Sequence, residues 1–503
     1  MLTRLSRALV GLAGLAALAL FVSLSTRRVG YPLELGNIEG MMMDHIVRLT
    51  RGQPLYVPPT PAFVPLAYMP LYPAVVALLA KVFGLSFTLG RLVSGLAALG
   101  VAALAYGAVR RATGSIAFGL AGAGLYLMGQ GVARGAYDIV RPDSLMLLLA
   151  FGGLMVLRLT AGTRGAIAAA LLLALAFFTK QHALLFGLAA LAHLALDDRR
   201  RLVPFGLTLV LAMAAGYAAL VMTMSPWFDF YVRDVPSHWS TFSRVRLVDY
   251  ARFSLFGQLA IPTLAMTASL AIPETPWRGR EGIWMWAAVG AIGSGLLATL
   301  DPYAYFHVLM PTFAGVAIAG PIALQRVGER LAGMGARARA LVLTDLLALL
   351  AFLPLFYPMH DLVPHPHAPA ARAALALRLR AVAGPVMTPS HGYITTSTGR
   401  EMTWCILALD DVIRARGNRL LAGDPAYFDL QFESLRHGPR RPTLFTDQPL
   451  ERLGDVSRPL WVSLAPHYRL ADSLDVALSE TLRPVAGNRD APRYVYVPRE
   501  EGP

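Results

Sequence analysis

Eleven apolar runs, each near the roughly 20 residues that cross a hydrocarbon core, recur up to residue 357. They lie at 8 to 24, 88 to 109, 115 to 132, 143 to 158, 166 to 180, 182 to 196, 203 to 223, 253 to 272, 283 to 300, 307 to 324 and 340 to 357. Each predicts a membrane helix. A further run, Tyr68 to Gly84, is shorter and carries Pro70, Pro73 and Lys81. The arginines decide its place. If it does not cross and the N-terminal tail is cytoplasmic, the inward loops are Arg110-Arg111, Arg158 to Arg164, Asp197 to Arg201, Glu274 to Glu281 and Gln325 to Arg339. With the tail they hold 15 arginines against 5 acids, whereas the outward segments 25 to 66, 132 to 143, 224 to 252 and Asp301 hold 10 against 9. A crossing at Tyr68 to Gly84 would turn every later Arg cluster outward, against the positive-inside rule. The segment is therefore expected to lie along the outer membrane face. The first helix is read as an uncleaved anchor, although its basic start and Ser23-Leu24-Ser25 also fit a cleaved leader.

Beyond residue 357 the long apolar runs stop. The Pro- and His-rich stretch Pro354 to Pro369 reads as a tether. The pattern then predicts a strand and turn over 385 to 398, a helix over 400 to 416 ending near Gly417, and short strands at Leu460 to Leu464 and Tyr494 to Val497. The expected architecture is mainly α. A polytopic membrane bundle of about 11 helices (1–357, with an outer loop and juxtamembrane helices over 25–87) is followed by a small extracytoplasmic α/β domain (358–503). An odd number of spans puts that domain outside the cytoplasmic membrane.

Composition removes the soluble classes. Of 503 residues 55% are hydrophobic and only 15% charged, against roughly 25% charged in soluble domains. The net charge of +14 resides almost wholly in the first 358 residues, with 28 basic and 15 acidic side chains, while the remainder carries 17 and 16. A basic excess on the membrane part signals orientation and anionic-lipid contact rather than nucleic-acid binding. One cysteine, Cys405, excludes an intrachain disulfide and any Cys-based metal site.

Polar residues cluster in the outward segments. Asn37-Ile38-Glu39 and Asp44-His45 follow the first helix, where Glu39 or Asp44 could serve as a general base at the lipid–water boundary. The competing reading is an Asp44–Arg48 i, i+4 pair with Glu39 in a helix first turn. Arg134 to Asp143 includes Tyr137, Asp138, Arg141 and Asp143, either a helix start with Arg–Asp pairing or a charged wall whose Arg141 suits bidentate phosphate contact. Phe177-Phe178-Thr179-Lys180-Gln181-His182 interrupts an apolar stretch. Lys180 is one of only two lysines, so an anion site competes with simple snorkelling. Asp301-Pro-Tyr303-Ala-Tyr305-Phe-His307 forms the fourth cluster, where aromatic-belt anchoring competes with a functional His307. No residue set reads as a metal site.

The order of these motifs resembles a family. Ile38-Glu39-Gly40 after helix one, Gly52-x-Pro-Leu-Tyr56, Tyr68-x-Pro-Leu-Tyr72, Arg91 opening the next span, Arg141-Pro-Asp143 and Phe178-Thr-Lys180-Gln resemble the polyprenyl-phosphate-sugar-dependent glycosyltransferases of the GT-C superfamily. The branch resembled is family 39, the protein O-mannosyltransferases and aminoarabinose transferases. The resemblance covers roughly residues 1 to 325. It departs where that branch often has adjacent Asp-Glu, here Ile38-Glu39 after Asn37. It departs again where Lys-Pro-Pro-Leu is often found, here Tyr68-Met69-Pro70-Leu71. The resemblance implies inverting transfer from a polyprenyl-phosphate-sugar to a hydroxyl of a lipid, glycan or protein acceptor, with no cofactor or metal. It also implies a carboxylate base, Glu39 or Asp44, with Arg141, Lys180, His307 and Tyr68 at the donor or lipid phosphate. Asp138, Asp143 and Gln181 would support them. The competing class is a polytopic transporter or lipid flippase, against which the charges sit at outer helix ends rather than at mid-membrane.

Overall fold

The computed structural model describes residues 1–239, 242–272, 277–416, 427–487 and 489–500. The expectations at Glu274 and Gly417 lie outside them. Nine helices follow one another in the first half: α1 (Leu2–Val29), α2 (Asn37–Thr50), α3 (Leu71–Phe83), α4 (Phe87–Thr113), α5 (Ile116–Val132), α6 (Asp143–Leu159), α7 (Gly162–Thr179), α8 (Leu184–Asp197) and α9 (Arg199–Thr223). Helices at Ala260–Ser269, Gly282–Thr299, Met310–Leu331 and Arg337–Leu350 complete the bundle. All eleven apolar runs fall on helices, and Tyr68 to Gly84 becomes α3. Among the described residues six helices are long and apolar enough to cross a membrane by length and composition, with Phe306–Leu355 taken as one bent helix. Leu71–Phe83, Ile116–Val132 and Gln181–Asp197 are apolar but shorter.

The termini of these helices are written locally. Ser86 and Ser115 cap α4 and α5 through hydroxyls that accept from the backbone N–H groups of Leu89 and Phe118, satisfying donors left free at a helix start. Gly114 closes α4 in the left-handed conformation that a side chain disfavours. Inside the bundle, small residues let backbones meet. A Cβ at Gly124 of α5 would sit 2.8 Å from the Cα of Gly14 of α1, and a Cβ at Gly14 would overlap the backbone of Leu120. We therefore expect Gly124→Leu to prevent recovery of folded protein and Gly152→Leu, where nothing lies within 4 Å, to be tolerated. Monodispersity after detergent extraction checks this.

The C-terminal part holds a four-stranded sheet in the order β1-β2-β4-β3, with β1 (Val386–Met387) parallel to β2 (Thr443–Thr446). The strand β4 (Tyr494–Pro498) runs antiparallel to both β2 and β3 (Tyr468–Ser473). Three expectations change here. The segment 392–397 is a helix rather than part of a strand and turn, and the helix expected from residue 400 begins at Ile406. Leu460 to Leu464 lies in a helix, Arg458–Leu464, because Leu460 and Leu464 share its buried face with Trp461.

Candidate functional site

Where α6 begins and α7 ends lies a cavity of about 580 Å³. Its membrane-side wall is made where two apolar helices break. The chain leaves α7 at Lys180 in extended conformation and re-enters a helix through the short turn Gln181–Ala183. Lys180 is thereby aimed inward, not out to lipid. It is 6% exposed, and its Nζ lies 2.6 Å from Oδ1 of Asp143. Asp143 opens α6 behind Pro142, and its Oδ2 accepts from Arg141 Nε at 3.2 Å. Arg141 also donates from Nη2 to the Tyr68 hydroxyl at 3.2 Å, and Lys180 Nζ stands 5.7 Å from the Tyr68 ring centroid. Gln181 secures the break by donating to the Val232 carbonyl at 3.1 Å. Two cations thus face one carboxylate, leaving a net positive charge on the wall. His307 lines the same cavity, and its buried Nδ1 has no hydrogen-bond partner among the described residues. The structure brings Tyr68, Arg141, Lys180, Gln181 and His307 to one cavity, with Asp143 directly behind.

The other singled-out carboxylates lie elsewhere. Glu39 is fully buried and accepts from Arg91 Nε at 2.9 Å and Nη2 at 2.6 Å. It also accepts from the backbone N–H groups of Leu35 at 2.6 Å and Val140 at 2.8 Å. Its neighbours Asn37 and Ile38 line the cavity, but the Glu39 carboxylate points away into this four-donor cradle. Asp44 is buried against the C-terminal domain, accepting from the Thr396 hydroxyl at 3.0 Å, and burial holds its carboxyl well above the usual carboxylate range. The Asp44–Arg48 pairing that their spacing suggests does not form. Arg48 stacks on Phe63 and donates to the Pro54 carbonyl. Asp138 holds the end of α1, pairing with Arg28 at 2.8 Å and accepting from the Ser25 hydroxyl and Gln130.

A further part of the cavity lining was legible in the sequence only at the Asp301 cluster, not in the C-terminal domain. It comes from the helix Ile406–Arg416 of the C-terminal domain and the loop around Asp301. Arg414 bridges Asp301 at 2.7 Å and Asp411 at 2.8 Å, between the rings of Trp239 and Tyr303, 4.9 and 4.6 Å from their centroids. Asp411 lines the cavity and keeps 30% of its side chain exposed. Burial raises its carboxyl to about 7, against the pull of Arg414 and with Asp301 and Asp410 adding to the rise. The apolar pattern predicts this element only as a helix over 400 to 416 and singles out neither Asp410 nor Asp411.

The C-terminal domain is held to the membrane part by a buried clasp. His391 lies between Glu34, in the loop after α1, at 2.8 Å and Asp447 at 3.0 Å. Burial opposes its charge, but the two carboxylates outweigh that and raise it from 6.5 to about 10. A raised histidine contributes stability fully below its unfolded value and loses it as pH climbs to the folded one. The clasp should therefore weaken progressively between pH 6.5 and about 10. In detergent melts the wild-type protein should lose thermal stability over that window more steeply than His391→Asn.

No protein-family profile and no curated protein matches the chain. Solved structures do. ArnT from Cupriavidus metallidurans, bound to undecaprenyl phosphate, superposes with a TM-score of 0.58 at 15% identity, covering 95% of this chain and 97% of that one. The archaeal oligosaccharyltransferase AglB from Archaeoglobus fulgidus, in complex with an inhibitory peptide and a dolichol-phosphate, superposes with a TM-score of 0.51 at 13% identity. That match covers 88% and 72%. Both are GT-C glycosyltransferases. The chain has the GT-C fold. The GT-C likeness to ArnT extends through the C-terminal domain, beyond the residues that carry the motif resemblance.

Proposed function

We propose that this GT-C protein transfers a sugar from a polyprenyl-phosphate-sugar donor to an acceptor hydroxyl, with inversion, at the outer face of the cytoplasmic membrane. The observation that carries the reading is the pairing of Lys180 and Arg141 against the single carboxylate of Asp143 at the cavity lining. A phosphodiester donor bears one negative charge, and its leaving polyprenyl phosphate gains a second when the anomeric C–O bond breaks. Such a leaving group calls for preorganised cations rather than a general acid. Arg141 offers a planar fork to the phosphate oxygens and Lys180 a point charge, with His307 beside them on the cavity lining. Against the transporter alternative, these charges sit where α6 begins and α7 ends rather than in the middle of a helix.

The arginine asymmetry supports the orientation. Reporter fusions after residue 370 should be active only outside the cytoplasm, and fusions after residue 113 only inside it. The opposite pattern would reverse the topology. The function itself is tested by mass spectrometry of protein extracted in mild detergent, followed by incubation with a polyprenyl-phosphate-sugar. Bound polyprenyl phosphate, and release of polyprenyl phosphate together with glycosylated acceptor, are expected. Failure to bind any polyprenyl phosphate would overturn the reading.

A further inference from the structure

Glycosyl transfer at this cavity, as proposed above, needs a group to take the acceptor proton, and the carboxylates nearest the chain's start are poorly placed to do so. Glu39 spends its oxygens on Arg91 and two backbone N–H groups. The position before it, which faces the cavity, is Ile38. Asp44 is sealed against Thr396. The cavity lining holds four other carboxylates, Asp301, Asp410, Asp411 and Asp455, of which Asp455 is exposed and has no positioning partner for its carboxylate among the described residues. Asp410 is used up locally, since its two oxygens accept from the backbone N–H groups of Ser457 and Asp455. Asp301 accepts from the Tyr303 N–H and from Arg414 on the same oxygen. Asp411 differs. Its Oδ1 is held by Arg414, and Arg414 is itself fixed by Asp301 and two aromatic rings. Its Oδ2 meets no donor among the described residues. It is thus a positioned carboxylate on the lining of the same cavity as the cation pair, with one oxygen that meets no donor among the described residues.

Resting on the glycosyltransferase reading, we propose that Asp411 is the general base that activates the acceptor hydroxyl. Oδ2 takes the hydroxyl proton as the acceptor oxygen bonds to the anomeric carbon. The bond from that carbon to the phosphate oxygen breaks, and its electron pair leaves on polyprenyl phosphate, beside Lys180 and Arg141. The protonated Asp411 then returns its proton to water. Donor and acceptor are so divided between the two parts of the chain, the membrane bundle holding the leaving group and the outer domain activating the nucleophile.

General-base catalysis typically contributes 10² to 10⁴-fold. Asp411→Asn retains an acceptor for Arg414, so copurified polyprenyl phosphate should persist while sugar transfer falls by about that factor. Asp411→Ala should be equally slow and should regain transfer with added formate, which a purely structural role would not allow. Arg414→Met leaves the carboxylate in place and should be slowed less than either. Wild-type transfer by Asp411→Asn, or equal losses in Arg414→Met and Asp411→Asn with no formate rescue, would overturn the assignment of Asp411 and leave the glycosyltransferase reading intact. Absence of polyprenyl phosphate binding by the wild-type protein would instead overturn that reading.

Discussion

Lys180→Met should lower sugar transfer by roughly 10² to 10³-fold, the range seen when one preorganised donor to a developing oxyanion is removed. Polyprenyl phosphate should bind more weakly by about 10- to 100-fold, since hydrogen bonds to charged groups contribute about 1.5 to 3 kcal/mol. The fold should survive, because Asp143 keeps Arg141 as a partner and the buried site becomes neutral rather than unbalanced. The mirror substitution distinguishes charge from packing. Asp143→Asn leaves Lys180 and Arg141 facing each other without their shared anion, and should destabilise the protein by about 3 to 5 kcal/mol, as loss of one partner from a buried ion pair does. Lipid retention by mass spectrometry and a thermal melt read the two effects separately. If Lys180→Met binds lipid normally in a folded protein, Lys180 serves the helix break and not the phosphate.

Glu39→Gln should also act on stability more than on chemistry. The carboxylate is the shared acceptor for Arg91 and for the N–H groups of Leu35 and Val140, which come from three separate stretches of chain. Glutamine presents an NH₂ where an oxygen now accepts, and it leaves the Arg91 charge buried with only the carbonyls of Arg28, Tyr31 and Leu33. A loss of about 3 to 5 kcal/mol follows, read as a lowered melting temperature in detergent. A variant that melts normally but fails to transfer sugar would restore Glu39 as the base.

These contrasts show what could be read from residues alone. The helices were legible because each apolar run is long and uninterrupted, so burial and lipid contact both demand a helix. Lys180 and Arg141 each stood out because a lysine or arginine at a helix break among apolar residues has few inexpensive explanations, whereas their grouping with Tyr68 came from the family resemblance. The sense of Glu39 was not, since its partners Arg91 and Val140 lie 52 and 101 residues further on. Asp411 was invisible for the same reason: on its own helix it shows only Arg414 three residues later, and the Asp301 that completes the bracket belongs to another part of the chain. In the outer domain β3 escaped notice because five of its six residues are exposed, which leaves no alternation to find.

The cation pair and Asp411 are separated in time as well as in sequence. Ribosomes add about 5 to 20 residues per second, so Asp411, some 230 residues after Lys180, emerges roughly 10 to 50 seconds later. During that interval the nascent chain holds the cation pair and the Asp301 loop but not the helix Ile406–Arg416 that completes the cavity lining. On the proposed reading, a chain stopped before the C-terminal domain would keep the residues proposed to hold the lipid phosphate and lack the carboxylate proposed to activate the acceptor.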